Sequence, residues 1–279
     1  MTTESGGHVL ATSRGAFHVR LDGASARPWL TVLHALAADL HMWDAQVPGW
    51  CEHFRVLRVD MRGHGRTPWT GGTEPVGIDE LARDVLAVWD AVGVWRSVVV
   101  GLSIGGMIAL DLAVGGAEQV VAVVAADCRA DAPPGFRAMW DRRLALLLEG
   151  GMAAVAEATL PTWFTPRTLA EQPERFGAVR AMIARTSPPG YAALARGLQQ
   201  LDLASRLGAI DVPVLLVVGA DDGVHEVAMR AMAQLMPGTA LVTIAGAAHL
   251  VNLEQAQAFA AATDPFLRSF AADASPAVA

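Results

Sequence analysis

The chain has 279 residues, 53% of them hydrophobic and 18% charged, which is enough apolar material for a full core in one domain carrying an insertion. A formal charge of −7 argues against a nucleic-acid partner, which would need a concentrated basic face; every basic residue other than histidine is arginine. Two cysteines, Cys51 and Cys128, are too few for a disulfide framework and have no metal-ligand spacing.

The N-terminal stretch MTTESGGHVLATSRG lacks a charged segment followed by an apolar one, so no secretory leader is expected and the predicted compartment is the cytoplasm. The longest apolar runs, Val120–Ala126 and Val212–Val218, have strand length and fall short of the roughly 20 residues a spanning helix needs, so no membrane partner is expected. Valine-rich runs bounded by glycine and proline predict strands at Ala16–Leu21, Trp29–Leu33, Arg55–Asp60, Ser97–Gly101, Val120–Ala125, Val214–Gly219 and Ala240–Ile244. Apolar residues recurring at three and four predict helices at Ile78–Val92, Ile104–Val114, Val224–Met236 and Glu254–Phe270. This alternation is that of an α/β protein with a mostly parallel sheet flanked by helices.

Between Ala125 and Val214, almost ninety residues contain no convincing strand. Pro133-Pro134, Pro161, Pro166, Pro173 and Pro188-Pro189 break this stretch into helical pieces such as Phe136–Leu148 and Thr168–Ile183. The prediction is a helical cap, residues 129–206, inserted into a core made of residues 1–128 and 207–279. The last residues, ASPAVA, read as a frayed tail.

The sharpest motif is Val98-Val99-Val100-Gly101-Leu102-Ser103-Ile104-Gly105-Gly106, a strand running through a small-x-Ser-x-small turn into a helix. Such a nucleophile elbow holds the serine hydroxyl above the sheet, and Gly101 and Gly105 stand where a side chain would collide with backbone. Serine is a weak nucleophile that needs a base, and the base needs an orienting acid. His249 lies between the strand Ala240–Ile244 and the last helix, and Asp222 follows the strand Val214–Gly219, giving the chain order Ser, Asp, His. Asp221, one residue away, and Asp127, after the strand Val120–Ala125, remain alternatives for the acid. Of the eight histidines, His8, His18, His53 and His225 are read as satisfied surface or core residues.

Acyl transfer also needs two amide donors aimed at the developing oxyanion. The Ile104 N–H is expected to be one, and the Leu36 N–H, in the loop Leu33-His34-Ala35-Leu36-Ala37-Ala38, the other. A positive φ at Ala35 would require adjusted geometry there, and His34 is expected to brace the loop. Arg62 and His64, within Asp60-Met61-Arg62-Gly63-His64-Gly65-Arg66, are read as structural parts of a tight turn. No Rossmann or Walker spacing is present, so no cofactor is expected.

With these residues placed, the chain resembles the α/β-hydrolase superfamily over almost its whole length, and within it the 3-oxoadipate enol-lactonases. The closer similarity rests on Ala38-Asp39-Leu40-His41-Met42-Trp43-Asp44-Ala45-Gln46, on Phe54-Arg55-Val56-Leu57-Arg58-Val59-Asp60 with its Arg-Gly-His-Gly sequel, on Gly101 to Met107, on Leu160-Pro161-Thr162-Trp163-Phe164-Thr165, and on Ala248 to Gln255. Many relatives have His-Gly, and lactonases of this kind often Asn-Ser, where this chain has His34-Ala35. The resemblance implies a small and anionic ester or lactone as partner, met by a cationic cap. Arg129, Arg137, Arg142 and Arg143 are candidate contacts, and Trp140, Trp163, Phe164 and Met139 candidate lining. A carbon-carbon bond hydrolase of a ring-fission product and a catalytically silent binding member of the fold are the alternative readings.

Overall fold

A computed structural model describes residues 7–115, 118–171 and 173–274, with the backbone alone for residues 173–175. Apart from Ala274, the ASPAVA tail lies outside the described residues. Among them, eight strands form one sheet: β1 (His8–Thr12), β2 (Gly15–Asp22), β3 (Trp29–Leu33), β4 (Arg55–Val59), β5 (Ser97–Leu102), β6 (Val120–Ala126), β7 (Val214–Gly219) and β8 (Ala240–Ile244), in the order β1-β2-β4-β3-β5-β6-β7-β8. β1 and β2 pair antiparallel, as do β2 and β4, and the pairs from β4 across to β8 are parallel. β5, β6 and β7 are buried at every residue, which is why they read as unbroken apolar runs rather than as alternating ones. β1, absent from the predicted strands, is an exposed edge and lacks that signal.

The helices are α1 (Val47–Trp50), α2 (Ile78–Val92), α3 (Ile104–Val114), α4 (Pro134–Trp163), α5 (Pro166–Glu171), α6 (Pro173–Arg185), α7 (Pro188–Leu198), α8 (Val224–Leu235), α9 (Val251–Glu254) and α10 (Ala256–Ser269). α3 packs on β5, β6 and α2, and its residues from Ile104 to Ala113 are all buried. α10 packs under β7 and β8 and reaches α1 through the Trp50 Nε1 donation to Asp264, 3.1 Å. The single helix expected at Glu254–Phe270 is divided at Gln255 into α9 and α10.

All four helices α4 to α7 lie between β6 and β7, and the antiparallel bridge Asp131–Asp202 joins the two ends of this stretch. The predicted helix Phe136–Leu148 extends to Trp163, interrupted at Gly151, where φ 63° and ψ −160° break the helical path. By length and composition alone α4 is long and apolar enough to cross a membrane. Here it bends at Gly151 and packs against α6 and α7.

The chain leaves β3 for β4 on one side and β5 for β6 on the other, so the direction of strand addition reverses between β3 and β5. In open α/β sheets, ligand crevices form at the C-terminal strand ends beside such a reversal. The loops after Leu33 and Leu102 sit there.

Candidate active site

β5 ends in a sharp turn at Ser103, with φ 57° and ψ −121°, and α3 begins at the next residue. A β-carbon on Gly101 would lie 2.0 Å from the Gly105 carbonyl oxygen, and one on Gly105 would lie 2.3 Å from that of Leu33. Glycine is required at both positions by close backbone approach. The Ser103 amide donates to the Ala126 carbonyl at 2.8 Å, and its carbonyl accepts from Met107 at 3.1 Å, so the elbow is fastened to β6 and to α3. A non-glycine residue in such a conformation costs about 1–3 kcal/mol, which the packed surroundings must offset.

The loops after β7 and β8 are laced together. Ala220 donates to Ile244 and Asp221 to Ala247, each at 2.9 Å, and a β-carbon on Gly219 would meet the Ala248 oxygen at 2.3 Å. This brings His249 Nδ1 to 2.8 Å from Asp222 Oδ2. Ser103, Asp222 and His249 line one cavity of about 610 Å³. Asp221 also lines it, but the residue is exposed, and among the described residues the acid bonded to His249 is Asp222.

Asp222 has a second histidine. Its Oδ1 lies 3.2 Å from Nδ1 of His225, which is a satisfied histidine but also lines the cavity, its ring 4.7 Å from that of His249. Burial pushes the Asp222 carboxyl up, but His249 and His225 outweigh it and hold the group well below the usual carboxylate range. Burial pushes the His225 imidazole down, against the pull of Asp222, which favours its neutral form. Asp222, His225 and His249 each present a possible metal-ligand atom, all within 4.8 Å of one another. Both Asp222 oxygens are already engaged by imidazole Nδ1 atoms, so the donor set fits a hydrogen-bonded acid better than a metal centre.

Leu36 lines the same cavity, and Ile104, buried, is the first residue of α3 directly after Ser103. The loop turns through Ala35–Ala38, closed by the Ala38 N–H donating to Ala35 at 3.0 Å. Its positive φ, 65°, falls at Ala37 rather than at Ala35. His34 braces the loop: Nδ1 is 2.8 Å from the Ala35 carbonyl, and Nε2 accepts from the Met61 amide at 2.9 Å. Burial pushes the His34 imidazole down, in keeping with a neutral ring donating at Nδ1 and accepting at Nε2. His64 packs 5.3 Å from it and is pushed down to about 3 by burial and by His34. Arg62 is committed to Asp84, and Gly65, at φ 53°, turns tightly over the Asp60 carboxylate.

Trp140, Trp163, Phe164 and Met139 line the cavity. Arg129 does not: its guanidinium donates twice to Asp131, each at 2.7 Å, and stacks 4.5 Å from the Phe136 ring. Arg129, expected to contact substrate, is thus turned away from this cavity, its donors taken by a neighbouring carboxylate and carbonyl. Arg137 is likewise turned to the Ala132 carbonyl at 2.7 Å. The cations of the cavity are Arg142 and Arg143. Arg143 lies 5.0 Å over the Trp140 ring and 3.3 Å from Thr162 Oγ1. It also meets the buried Tyr191 hydroxyl, which burial pushes up to about 12 against the pull of the guanidinium. Two polar atoms of residues lining the cavity, Trp140 Nε1 and Thr159 Oγ1, are buried with no partner among the described residues.

Sequence reasoning also passed over Glu254 as a functional residue. Its Oε1 accepts from the Thr165 amide at 2.8 Å and the Thr165 hydroxyl at 2.5 Å, and its Oε2 accepts from the Ala248 amide at 2.8 Å. With the Leu250 amide donating to Trp163 at 3.1 Å, it ties the His249 loop to the end of α4. A glutamate five residues past a candidate histidine has no motif of its own and could be found only from its position.

A model of the Alpha/beta hydrolase family matches residues 15–262. 3-Oxoadipate enol-lactonase 2 of Acinetobacter baylyi is 30% identical over 248 residues, covering 89% of this chain and 91% of its own. A crystal structure of a hydrolase from Pseudomonas aeruginosa is similar with a TM-score of 0.88 at 36% identity, covering 95% of this chain and 99% of that one. The enol-lactonase from Burkholderia xenovorans is similar with a TM-score of 0.87 at 31% identity, covering 93% and 99%.

Proposed function

The chain belongs to the alpha/beta hydrolase family, and from that premise we propose that it hydrolyses a small ester or lactone bearing a carboxylate, through an acyl-enzyme on Ser103. The observation that carries the proposal is the 2.8 Å contact of His249 Nδ1 with Asp222 Oδ2, in a cavity that also contains Ser103 on its strained turn. His249 takes the Ser103 hydroxyl proton at Nε2 as Oγ attacks the carbonyl carbon, and Asp222 holds the Nδ1–H and balances the imidazolium. The Leu36 and Ile104 amides receive the oxyanion. Collapse of the tetrahedral intermediate breaks the carbon-oxygen bond, and His249 returns its proton to the leaving oxygen, which stays tethered when the substrate is a lactone. Water, deprotonated by His249, then attacks the acyl-enzyme and releases the acid.

Arg143 supports the carboxylate part of the reading. It is a cation in the cavity, half-buried against Trp140 and Tyr191, and the same cavity is lined by Trp140 and Thr159, whose Nε1–H and hydroxyl are buried without a partner among the described residues. An anion placed there would gain a charge-assisted bond in partly desolvated surroundings. The names of the enol-lactonase relatives agree with a lactone.

The test is fluorophosphonate labelling together with turnover of a panel of p-nitrophenyl esters and lactones, with and without a carboxylate. Ser103→Ala should abolish labelling and lower kcat about a millionfold. Near-normal turnover by that variant, or failure of the wild type to label, would remove the mechanism.

A further inference from the structure

Among the described residues, three non-glycine residues have positive φ: Ala37 at 65°, Ser103 at 57° and Asp127 at 42°. Each follows a strand of the sheet's centre: Ala37 lies in the loop after β3, Ser103 after β5 and Asp127 after β6. Strained conformations of this kind persist where the surrounding structure over-determines them, and they cluster at functional sites. The first two belong to the oxyanion loop and the nucleophile turn. Asp127 has no part in the mechanism above, although it is completely buried.

Its attachments lead to Asp222. The Asp127 amide donates to the Val217 carbonyl at 2.9 Å, and its Oδ1 accepts from the Gly219 amide at 2.8 Å, so it clasps the end of β7, three residues before the acid. Its other oxygen, Oδ2, is buried with no donor directed at it. Burial first, then the Asp222 charge and a side-chain interaction with Asp222, raise the Asp127 carboxyl, so the two acids act on one another. A buried carboxylate oxygen beside a second carboxylate, with no donor of its own, would be costly if both groups were ionised. If Oδ2 carries a proton, the same arrangement becomes a donor meeting an acceptor. Asp222 has the capacity, since each carboxylate oxygen has two lone pairs and each accepts from only one imidazole.

We infer that Asp127 is a positioning residue for the proposed acid: a neutral carboxyl that donates its Oδ2 hydrogen to Asp222, adding a third donor to the two histidines. The inference rests on the reading of Asp222 as the group that orients His249. Burial, and next the Asp222 charge, push the Asp127 carboxyl well above the usual range, against the pull of the Gly219 amide. The other charged groups bearing on it are Glu254 of α9 directly, and His225 of α8 and His249 through Asp222. Among the described residues, the hydrogen-bond partners of Asp127 are Val217 and Gly219, and neither is a cation.

The experiment compares wild type, Asp127→Asn and Asp127→Ala by infrared difference spectroscopy, thermal unfolding against pH, and the pH profile of kcat/KM. Asparagine can accept from Gly219 and donate to Asp222 as the carboxylic acid does, so it should keep kcat within about threefold and leave the acidic limb of the profile in place. Alanine removes both bonds and should lower kcat by roughly tenfold or more. At neutral pH the wild type should show the carbonyl stretch of a protonated carboxylic acid, and Asp127→Asn should lose it. The Tm of Asp127→Asn relative to wild type should rise as pH increases from the ordinary carboxyl value of 3.8, because the native protein alone must then retain the proton. Absence of that infrared band, a displaced acidic limb in Asp127→Asn, or equal losses in the two variants would overturn the inference. The infrared and Tm readouts report the Asp127 proton whether or not Ser103 turns over an ester, so they separate failure of this inference from failure of the proposed reaction.

Discussion

The imidazoles of His225 and His249 lie 4.7 Å apart at an interplanar angle of 39°, each with its Nδ1 on a different oxygen of Asp222. One carboxylate therefore orients the candidate base with one oxygen and is itself held by the other. His225→Phe keeps an aromatic ring but removes the donor. Loss of a hydrogen bond to a charged group costs about 1.5–3 kcal/mol, so kcat should fall roughly tenfold to a hundredfold. KM should change little, because the lost contact orients the acid. An unaltered kcat would mean that Asp222 needs no second donor.

Arg143 offers a separate test of substrate charge. Arg143→Met retains the length of the side chain over Trp140 and removes the cation. For an ester carrying a carboxylate, KM should rise about tenfold or more, the equivalent of one charge-assisted bond. A neutral ester of equal size should show a much smaller change. Equal losses on both esters would make Arg143 a packing residue and remove the argument for an anionic substrate.

The elements legible in the sequence were those whose function forces a local pattern. The fully buried strands β5, β6 and β7 appear as valine runs, and the elbow requires glycines where an added β-carbon would lie 2.0 and 2.3 Å from a backbone oxygen. The turn into α3 follows from the same residues. β1 was illegible because its exposed edge position demands no apolar face. The break at Gly151 was hidden inside a stretch of helix-forming residues. Arg129 and Arg143 have the same chemistry, and only the nearby Asp131 in one case and Trp140 with Tyr191 in the other determine which is available to a ligand. His225 is three residues from Asp222 across the start of a helix, a spacing that carries no motif, so its role became visible only with the folded loop.

Glu254 joins the His249 loop to the inserted helices, and that junction should be measurable as stability. Glu254→Ala leaves the buried amides of Thr165 and Ala248 without their acceptor. Each unsatisfied buried group costs about 1–3 kcal/mol, so Tm should drop by roughly 5–10 °C. Glu254→Gln retains one acceptor oxygen and should lose less. If both variants unfolded with the wild type in calorimetry, the loop would have to be held by its other contacts.

Asp60 allows a pH test remote from the reacting groups. Its Oδ1 accepts from the Leu40 amide at 2.8 Å, and its Oδ2 from the Arg66 amide at 2.9 Å and lies 2.7 Å from His18 Nδ1. Burial pushes the carboxyl up, but His18, His34 and these amides outweigh it and leave the value below the ordinary 3.8. A carboxyl depressed in the native state contributes stability that is fully present above its unfolded value and is lost as pH falls through its folded one. Asp60→Asn should therefore lower Tm at about pH 7, and the gap from wild type should narrow once the pH falls below 3.8. Calorimetry of both proteins across that range measures the gap directly. A gap that stayed constant would assign the cost of the substitution to the geometry of the three contacts and not to the charge.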